Sequence, residues 1–253
     1  MTAQSSLLSG KRYPRKDNNS TSMAVLPKRG QKVKPSQVKS RRLSFQGLYG
    51  EFFKRLFDIA FSLSVLILFS PIYMILALLI AIRSKGPIFY VQERVGKNYR
   101  NFNCIKFRTM VNNADEILVE MMATSPNLRE EFEDNFKLKK DPRITKIGHF
   151  LRITSLDEFP QFWNVLKGDM SVVGPRPLVA EELPKYGDYI NHVLTIRPGI
   201  TGLWQVSGRN DIPYPQRVQM DLRYVNIRNF WLDLRIILKT INVVIMPKNK
   251  GAY

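Results

Sequence analysis

From Ile59 to Ile82 the chain carries no charged residue, and Ser70-Pro71 stands near the middle of that run. About 20 consecutive apolar residues cross a bilayer core, so the pattern predicts a membrane segment. Its flanks are basic on both sides: Lys54 and Arg55 before it, Arg83 and Lys85 after it. Basic residues favour the cytoplasmic side. A kinked spanning helix puts one of these pairs outside, whereas a helix that bends at Ser70-Pro71 and returns keeps both inside; the pattern alone is compatible with either. Proline has no N–H and clashes with the carbonyl four residues back, so Pro71 supplies the bend. Ser70 is placed to rebond a freed backbone group, as lipid demands. Glu51 to Asp58 opens the helix, with Phe52, Phe53 and Phe57 expected at the membrane interface. Asp58 needs a partner at the edge of the apolar run, and Arg55, three residues back, is expected to supply it.

Further along, Gly86-Pro87 marks a turn. Alternation over residues 88–95 and 101–108, with Gly96-Lys97-Asn98 between them, predicts a small β-hairpin. Helical spacing runs from Ala114 to Thr124 and is broken at Ser125-Pro126. The stretch Phe230 to Ile245 is apolar but contains Asp233, Arg235 and Lys239. It suits an amphipathic helix in the membrane interface or a core helix of the soluble part. The predicted class is α+β and mostly helical. A basic, disordered arm (residues 1–48) is expected to precede the membrane helix (49–85) and a compact domain (86–253) with interfacial helices.

Charge sharpens this picture. The 253-residue chain has a net charge of +18, and its first 50 residues hold eleven Lys and Arg against Asp17 alone. With few large apolar residues such an arm cannot form a core. It reads as cytoplasmic and suited to anionic headgroups, or as a plain solubilising tail. No nucleic-acid-binding module is visible, so nucleic acid is not an expected partner. Cys104 is the only cysteine, which fits a reducing compartment. His149 and His192 are too isolated for a zinc site. The opening residues are polar, and no cleavable leader is expected. Neither a dinucleotide fingerprint nor a P-loop is present.

The densest chemistry lies between Asp141 and Leu178. Asp157 and Glu158 are expected where a helix begins, ending at Gly168, with Pro160 in its first turn. Helix capping, by Ser155 with Glu158 or by Asp157 itself, is one account of the pair. The other is phosphate chemistry. Arg143, Arg152 and Arg176 surround the acids in sequence, and Arg176 is held between Pro175 and Pro177. A guanidinium binds a phosphate bidentately, and two carboxylates reach a phosphate through Mg²⁺. Arg197 and Arg209 flank a Pro/Gly-rich turn and are further phosphate candidates. Trp204 suits a base, the lipid interface or core packing. Acids, arginines and a membrane hairpin together suggest phosphoryl transfer onto a lipid phosphate.

These residues resemble the bacterial sugar transferases, which are monotopic phosphoglycosyl transferases. The resemblance runs from about Phe53 onward. It includes Lys54-Arg55-x-Phe57-Asp58, Ser70-Pro71, Lys106-Phe107-Arg108-Thr109-Met110, Thr154-Ser155-Leu156-Asp157-Glu158, Gly168-Asp169-Met170-Ser171, Gly174-Pro175-Arg176-Pro177 and Arg197-Pro198-Gly199-Ile200-Thr201-Gly202. The basic arm lies outside it, and no counterpart of the multi-span region of longer members is expected. The resemblance implies a helix broken at Ser70-Pro71 that enters one leaflet of the bacterial inner membrane from the cytoplasmic face, with Arg55 and Asp58 at its base. It implies Asp157 as nucleophile, Glu158 helping to hold Mg²⁺, and Arg152 and Arg176 binding phosphates; Lys106, Arg108, Arg143 and Arg197 are also expected to bind substrate. The implied partners are a UDP-sugar donor, undecaprenyl phosphate and membrane lipids, and pairing with a second copy is left open. Trp163 and Leu203-Trp204-Gln205 resemble members that transfer galactose or glucose phosphate. The implied process is initiation of an exopolysaccharide or other surface glycan. A non-catalytic membrane scaffold for glycan-assembly enzymes is the rival reading.

Overall fold

Helix α1 (Phe45–Leu68) and helix α2 (Ser70–Arg83) are separated only by Phe69 and bent by 62°. The computed structural model describes residues 45–83 and 86–245. The basic arm up to residue 44, Lys85 and the residues from 246 onward lie outside the described residues. The bend has a local cause. Pro71 offers no N–H to the carbonyl of Ile67, and the Ser70 hydroxyl donates to that oxygen instead, at 2.8 Å. No single helix among the described residues is long and apolar enough to cross a membrane, but this bent pair together meets the length and composition required. Leu63, Ile67 and Leu68 on α1 and Met74, Leu78 and Ile82 on α2 are exposed.

The base of α1 is built into the rest of the molecule. Asp58 is almost fully buried, yet its partner is not Arg55. Its Oδ1 accepts the Val172 N–H at 3.1 Å and lies 3.4 Å from Lys54 Nζ. Lys54 also reaches Asp233 Oδ2 at 2.9 Å, and the Tyr224 hydroxyl donates to Asp233 Oδ1 at 2.7 Å. Arg55 turns the other way and donates to the carbonyls of Val165 and Leu166 at 2.6 and 2.8 Å. The expected Arg55–Asp58 pair fails because the end of α6 offers Arg55 two carbonyls free of an i+4 helix bond. Phe52 and Phe53 are exposed, whereas Phe57 stacks on Phe61 (5.6 Å) and packs edge-on against Phe230 (5.7 Å).

Strands β1 (Phe89–Val95) and β2 (Asn101–Phe107) form the expected antiparallel hairpin, in register from Phe89↔Phe107 to Val95↔Asn101. Helices α3 (Ala114–Thr124) and α4 (Pro126–Asn135) follow, broken at Ser125 with Pro126 at the first helical position. Helix α5 (Lys146–Thr154) and helix α6 (Gln161–Lys167) flank the acid pair. A second, unforeseen sheet pairs β3 (Ser171–Val173) in parallel with β4 (Gly199–Thr201). It exists because Gly174 and Gly199 let two backbones touch: a Cβ on Gly199 would lie 2.0 Å from the Gly174 nitrogen. A short helix α7 (Ile190–Val193) sits between these strands in sequence, and α8 (Tyr214–Ile227) and α9 (Phe230–Ile245) follow them.

The main core joins Cys104 of β2, Val165 of α6, Val172 of β3, Tyr224 of α8 and Ile236 of α9, with Phe57, Phe61 and Val65 of α1 packed on it. A second cluster seats α2 (Leu76, Ile80) on Phe107 and Leu151. Helix α9 is built into the core on one face and exposed on the other. Ile236 and Ile237 face the core, while Trp231, Leu238 and Ile241 are exposed.

Candidate active site

Ser155 ends α5 in a left-handed conformation (φ 56°) and turns the chain sharply into a single 3-10 turn, Leu156–Glu158, that carries both acids. Helix α6 begins only at Gln161, after Pro160, and ends at Gly168 (φ 94°) as expected. Neither predicted cap forms. The Ser155 side chain makes no capping hydrogen bond, and its Oγ accepts Arg209 Nη2 at 2.8 Å. The acids precede the helix rather than cap it, so helix stability does not account for them.

Asn164 aligns this segment with the hairpin. Its Oδ1 accepts the Ile105 N–H at 3.1 Å and its Nδ2 donates to Asn103 O at 2.7 Å. That junction sets Lys106 beside the acid turn, with Nζ 2.6 Å from Glu158 Oε1. Arg152, in the last turn of α5, donates from Nε to Thr109 Oγ1 at 3.0 Å. Gly148 permits this packing, since a Cβ there would meet the Thr109 carbonyl oxygen at 1.9 Å.

Asp157 is only 9% exposed. Among the described residues its carboxylate receives a hydrogen bond from its own backbone N–H and from no other residue's donor. Burial raises its pKa above the ordinary carboxylate range; Lys106 and Arg152 pull it down and Glu158 pushes it further up. Burial acts on Glu158 in the same direction, but Lys106 and Arg176 outweigh it and hold Glu158 well below its usual value. The turn therefore offers one firmly ionised acid, already engaged, beside one open acid whose charge is poorly solvated.

Of the sequence-predicted phosphate binders, Lys106, Arg152 and Arg176 act on the acid pair. Three others lie elsewhere. Arg108 sits under the Gly86 turn, its Nη1 on Asn112 Oδ1 at 2.7 Å, and burial alone lowers its pKa. Arg143 is gripped by Asp141 through two bonds of 2.8 and 2.7 Å. Arg197 donates from Nε to Gly168 O at 2.8 Å, so it caps the far end of α6, about 10 Å of helix from the acids. Two more residues join the site: Arg209, one of the further phosphate candidates, and Lys137, which the sequence did not single out. Arg209 contacts the acid turn through Ser155 and feels both carboxylates; it belongs to the Pro/Gly-rich turn that had suggested a phosphate role. Lys137, after α4, has its pKa lowered well below normal by burial, Arg176 and Lys106; nothing local distinguished it among the charges of that segment. Trp204 is core, buried under the Arg217 guanidinium at 5.2 Å.

No cluster of three or more His, Cys, Asp or Glu suited to a metal occurs among the described residues. Two adjacent carboxylates nevertheless fit Mg²⁺, which takes one or two protein acids and completes its shell with phosphate oxygens and water.

The chain belongs to the bacterial sugar transferase family, whose sequence model matches residues 49–247. It is 50% identical over 202 residues to the UDP-galactose-lipid carrier transferase of Erwinia amylovora and, over the same length, to the undecaprenyl-phosphate galactose phosphotransferase of Salmonella typhimurium. Those matches cover 80% of this chain and 42% of each relative, so the chain spans less than half the length of these two proteins. It is 44% identical over 200 residues to the exopolysaccharide production protein ExoY of Rhizobium meliloti, covering 79% of this chain and 88% of that one.

Proposed function

We propose that the chain transfers a sugar-1-phosphate, galactose or glucose phosphate, from a UDP-sugar to undecaprenyl phosphate at the cytoplasmic face of the bacterial inner membrane, initiating a surface glycan. The observation that carries this reading is the buried Asp157 carboxylate, which among the described residues takes no other residue's hydrogen bond and feels the charges of Lys106, Arg152 and Arg176. An Asp157 oxygen attacks the phosphorus that bears the sugar. The bond from that phosphorus to the bridging oxygen breaks, and UMP leaves. A phosphate oxygen of the polyprenyl acceptor then attacks the same phosphorus and frees Asp157. Lys106, Arg152, Arg176 and Arg209 offset the charge on the phosphoryl oxygens, and burial makes the nucleophile reactive by leaving it poorly solvated. Asp157 and Glu158 would hold Mg²⁺, which when bound supplies charge neutralisation at the diphosphate.

Membrane attachment by the bent pair is supported by the exposed apolar side chains of α1 and α2 and by the basic residues at both ends. Names of the matched relatives, with galactose or undecaprenyl phosphate in them, support the donor and acceptor assigned here. The test is a trapping experiment: donor labelled in the sugar phosphate is mixed with the protein and Mg²⁺, without acceptor. Label should remain on the wild-type protein, be absent from Asp157→Asn, and be discharged by undecaprenyl phosphate with prior release of UMP. Release of UMP that strictly requires acceptor, with no labelled protein, would instead make Asp157 a general base. No release with any sugar nucleotide would favour the scaffold reading.

A further inference from the structure

Behind the acid turn lies a small cavity whose walls include Arg94, Lys106, Glu158, Gln161, Arg176 and Gln205. Three buried polar atoms on these walls have no hydrogen-bond partner among the described residues: Arg94 Nε, Gln161 Nε2 and Gln205 Oε1. Gln161 is 1% exposed and Arg94 9% exposed, so water outside the protein does not satisfy them. The orientations of Arg94 and Gln205 are fixed by other bonds. Arg94 Nη1 donates to Pro177 O at 3.0 Å and its Nη2 to Gln92 Oε1. Gln205 Nε2 donates to Ile200 O at 3.0 Å, which settles the amide and leaves Oε1 as the orphan. Gly202 makes room for that oxygen, since a Cβ there would lie 2.9 Å from it.

A buried polar group left without a partner is costly, so a cavity with three of them is built to be filled. Two orphans are N–H donors and one is an acceptor. A phosphate cannot donate to the Gln205 oxygen, and the Glu158 carboxylate on the same wall would repel it. An ammonium cannot accept from Arg94 or Gln161. A hydroxyl both accepts and donates, and the cavity is no larger than such a group needs.

We propose that this cavity is a subsite for one neutral hydroxyl of the sugar being transferred, with Gln161 and Arg94 as donors and Gln205 as acceptor. The inference rests on the transferase reading above and assigns that site its sugar-recognition element. The cavity shares Lys106, Glu158 and Arg176 with the phosphate site, so a group entering it is held close to the reacting phosphorus. A water molecule fills it between turnovers and is displaced by a hydroxyl that reproduces its hydrogen bonds. A donor lacking that hydroxyl strands all three polar atoms, which is how a pocket of this kind gains discrimination.

The test measures kcat/KM for UMP release with undecaprenyl phosphate and Mg²⁺, using the preferred UDP-hexose and its singly deoxygenated analogues. Wild-type protein should lose at least about tenfold with one analogue and far less with the others. In Gln161→Leu and Gln205→Leu the parent donor should slow while that analogue does not, so their ratio falls toward one. Two outcomes overturn the proposal: wild type that treats every deoxy donor within about twofold of the parent, which needs no variant, or a ratio that survives in both variants. A cavity that merely keeps a structural water gives the second outcome. If wild type releases no UMP from any donor, the transferase reading itself fails and this subsite with it, which is a different result from normal turnover without discrimination.

Discussion

Lys106 Nζ lies 2.6 Å from Glu158 Oε1, while Asp157, adjacent in the chain, takes no donor from another residue among those described. Two neighbouring acids are thus driven apart in acidity. Lys106 and Arg176 hold Glu158 ionised, and burial makes Asp157 the acid whose protonation changes near neutrality. This gives a pH prediction. Asp157 must be ionised to attack, so kcat/KM for UMP release should fall as pH drops through its raised pKa, above the roughly 3.9 of an ordinary aspartate. Lys106 lowers that pKa and Glu158 raises it. The acid limb of the profile should therefore move to higher pH in Lys106→Met and to lower pH in Glu158→Gln. Identical limbs in all three proteins would contradict the assignment.

A second prediction concerns the join between α1 and the remaining structure. Lys54 stands between two nearly buried carboxylates, Asp58 at 3.4 Å and Asp233 at 2.9 Å. Removing one partner of a buried ion pair leaves uncompensated charge, a loss of about 3–5 kcal/mol. Lys54→Met should cost that much in thermal or denaturant unfolding. Adding Asp233→Asn should restore part of it, because a neutral amide no longer needs the lysine. A double variant no more stable than the single one would show that Lys54 acts through packing alone.

Much of the scaffold was legible because its signals are local. Ser70-Pro71 marks a bend whose cause and remedy are neighbours in sequence. Ser125-Pro126 separates two helices, and Gly168 ends one in a conformation that favours glycine. What stayed hidden depends on distant contacts. Arg55 and Arg197 resemble phosphate or carboxylate partners, yet both meet carbonyls at the end of α6, 110 and 29 residues away in sequence. The β3–β4 pair rests on two glycines 25 positions apart that touch backbone to backbone, which no alternation predicts. Lys137 looks like one more charge on a solvated segment until the fold brings it to Arg176. Asp157 and Glu158 were found from the residues around them, but sequence placed them at a helix start when they lie in a turn before it.

A third prediction follows from Asp221. It is fully buried and accepts from the Tyr186 hydroxyl at 2.8 Å, and burial outweighs that bond and raises its pKa to about 7. Its folded value lies above the unfolded one near 3.9, so the stability it contributes is complete below about pH 4 and is lost as pH rises through about 7. Asparagine keeps an acceptor for Tyr186 and carries no charge at any pH. The unfolding midpoint of Asp221→Asn should therefore improve relative to wild type between pH 5 and pH 8. A difference between the two proteins that is the same at both pH values would count against a titrating Asp221.

The fourth prediction sets the proline bend against the packing of α2. Pro71→Ala restores an N–H for the Ile67 carbonyl, and a straightened helix over residues 50–83 would run about 50 Å, enough to cross a 30 Å hydrocarbon core. Removing a helix-interior proline favours straightening by about 3 kcal/mol. Against it stand Leu76 and Ile80, buried on Phe107 and Leu151 and each stabilising by about 1.5–3 kcal/mol, and the Tyr73 hydroxyl bonded to Phe159 O at 2.7 Å. Together these match or exceed the gain, so α2 should stay folded back. With buried Cys104 changed to serine, single cysteines at Glu51 and Arg83 should both react with a membrane-impermeant thiol reagent only from the cytoplasmic side, whether Pro71 is kept or replaced by alanine. Adding Ile80→Asn to Pro71→Ala removes packing that opposes straightening and should increase labelling at position 83 from the outer side. Outer-side labelling of Arg83→Cys with Pro71 intact would show that the bent pair spans the bilayer and would overturn the one-leaflet attachment.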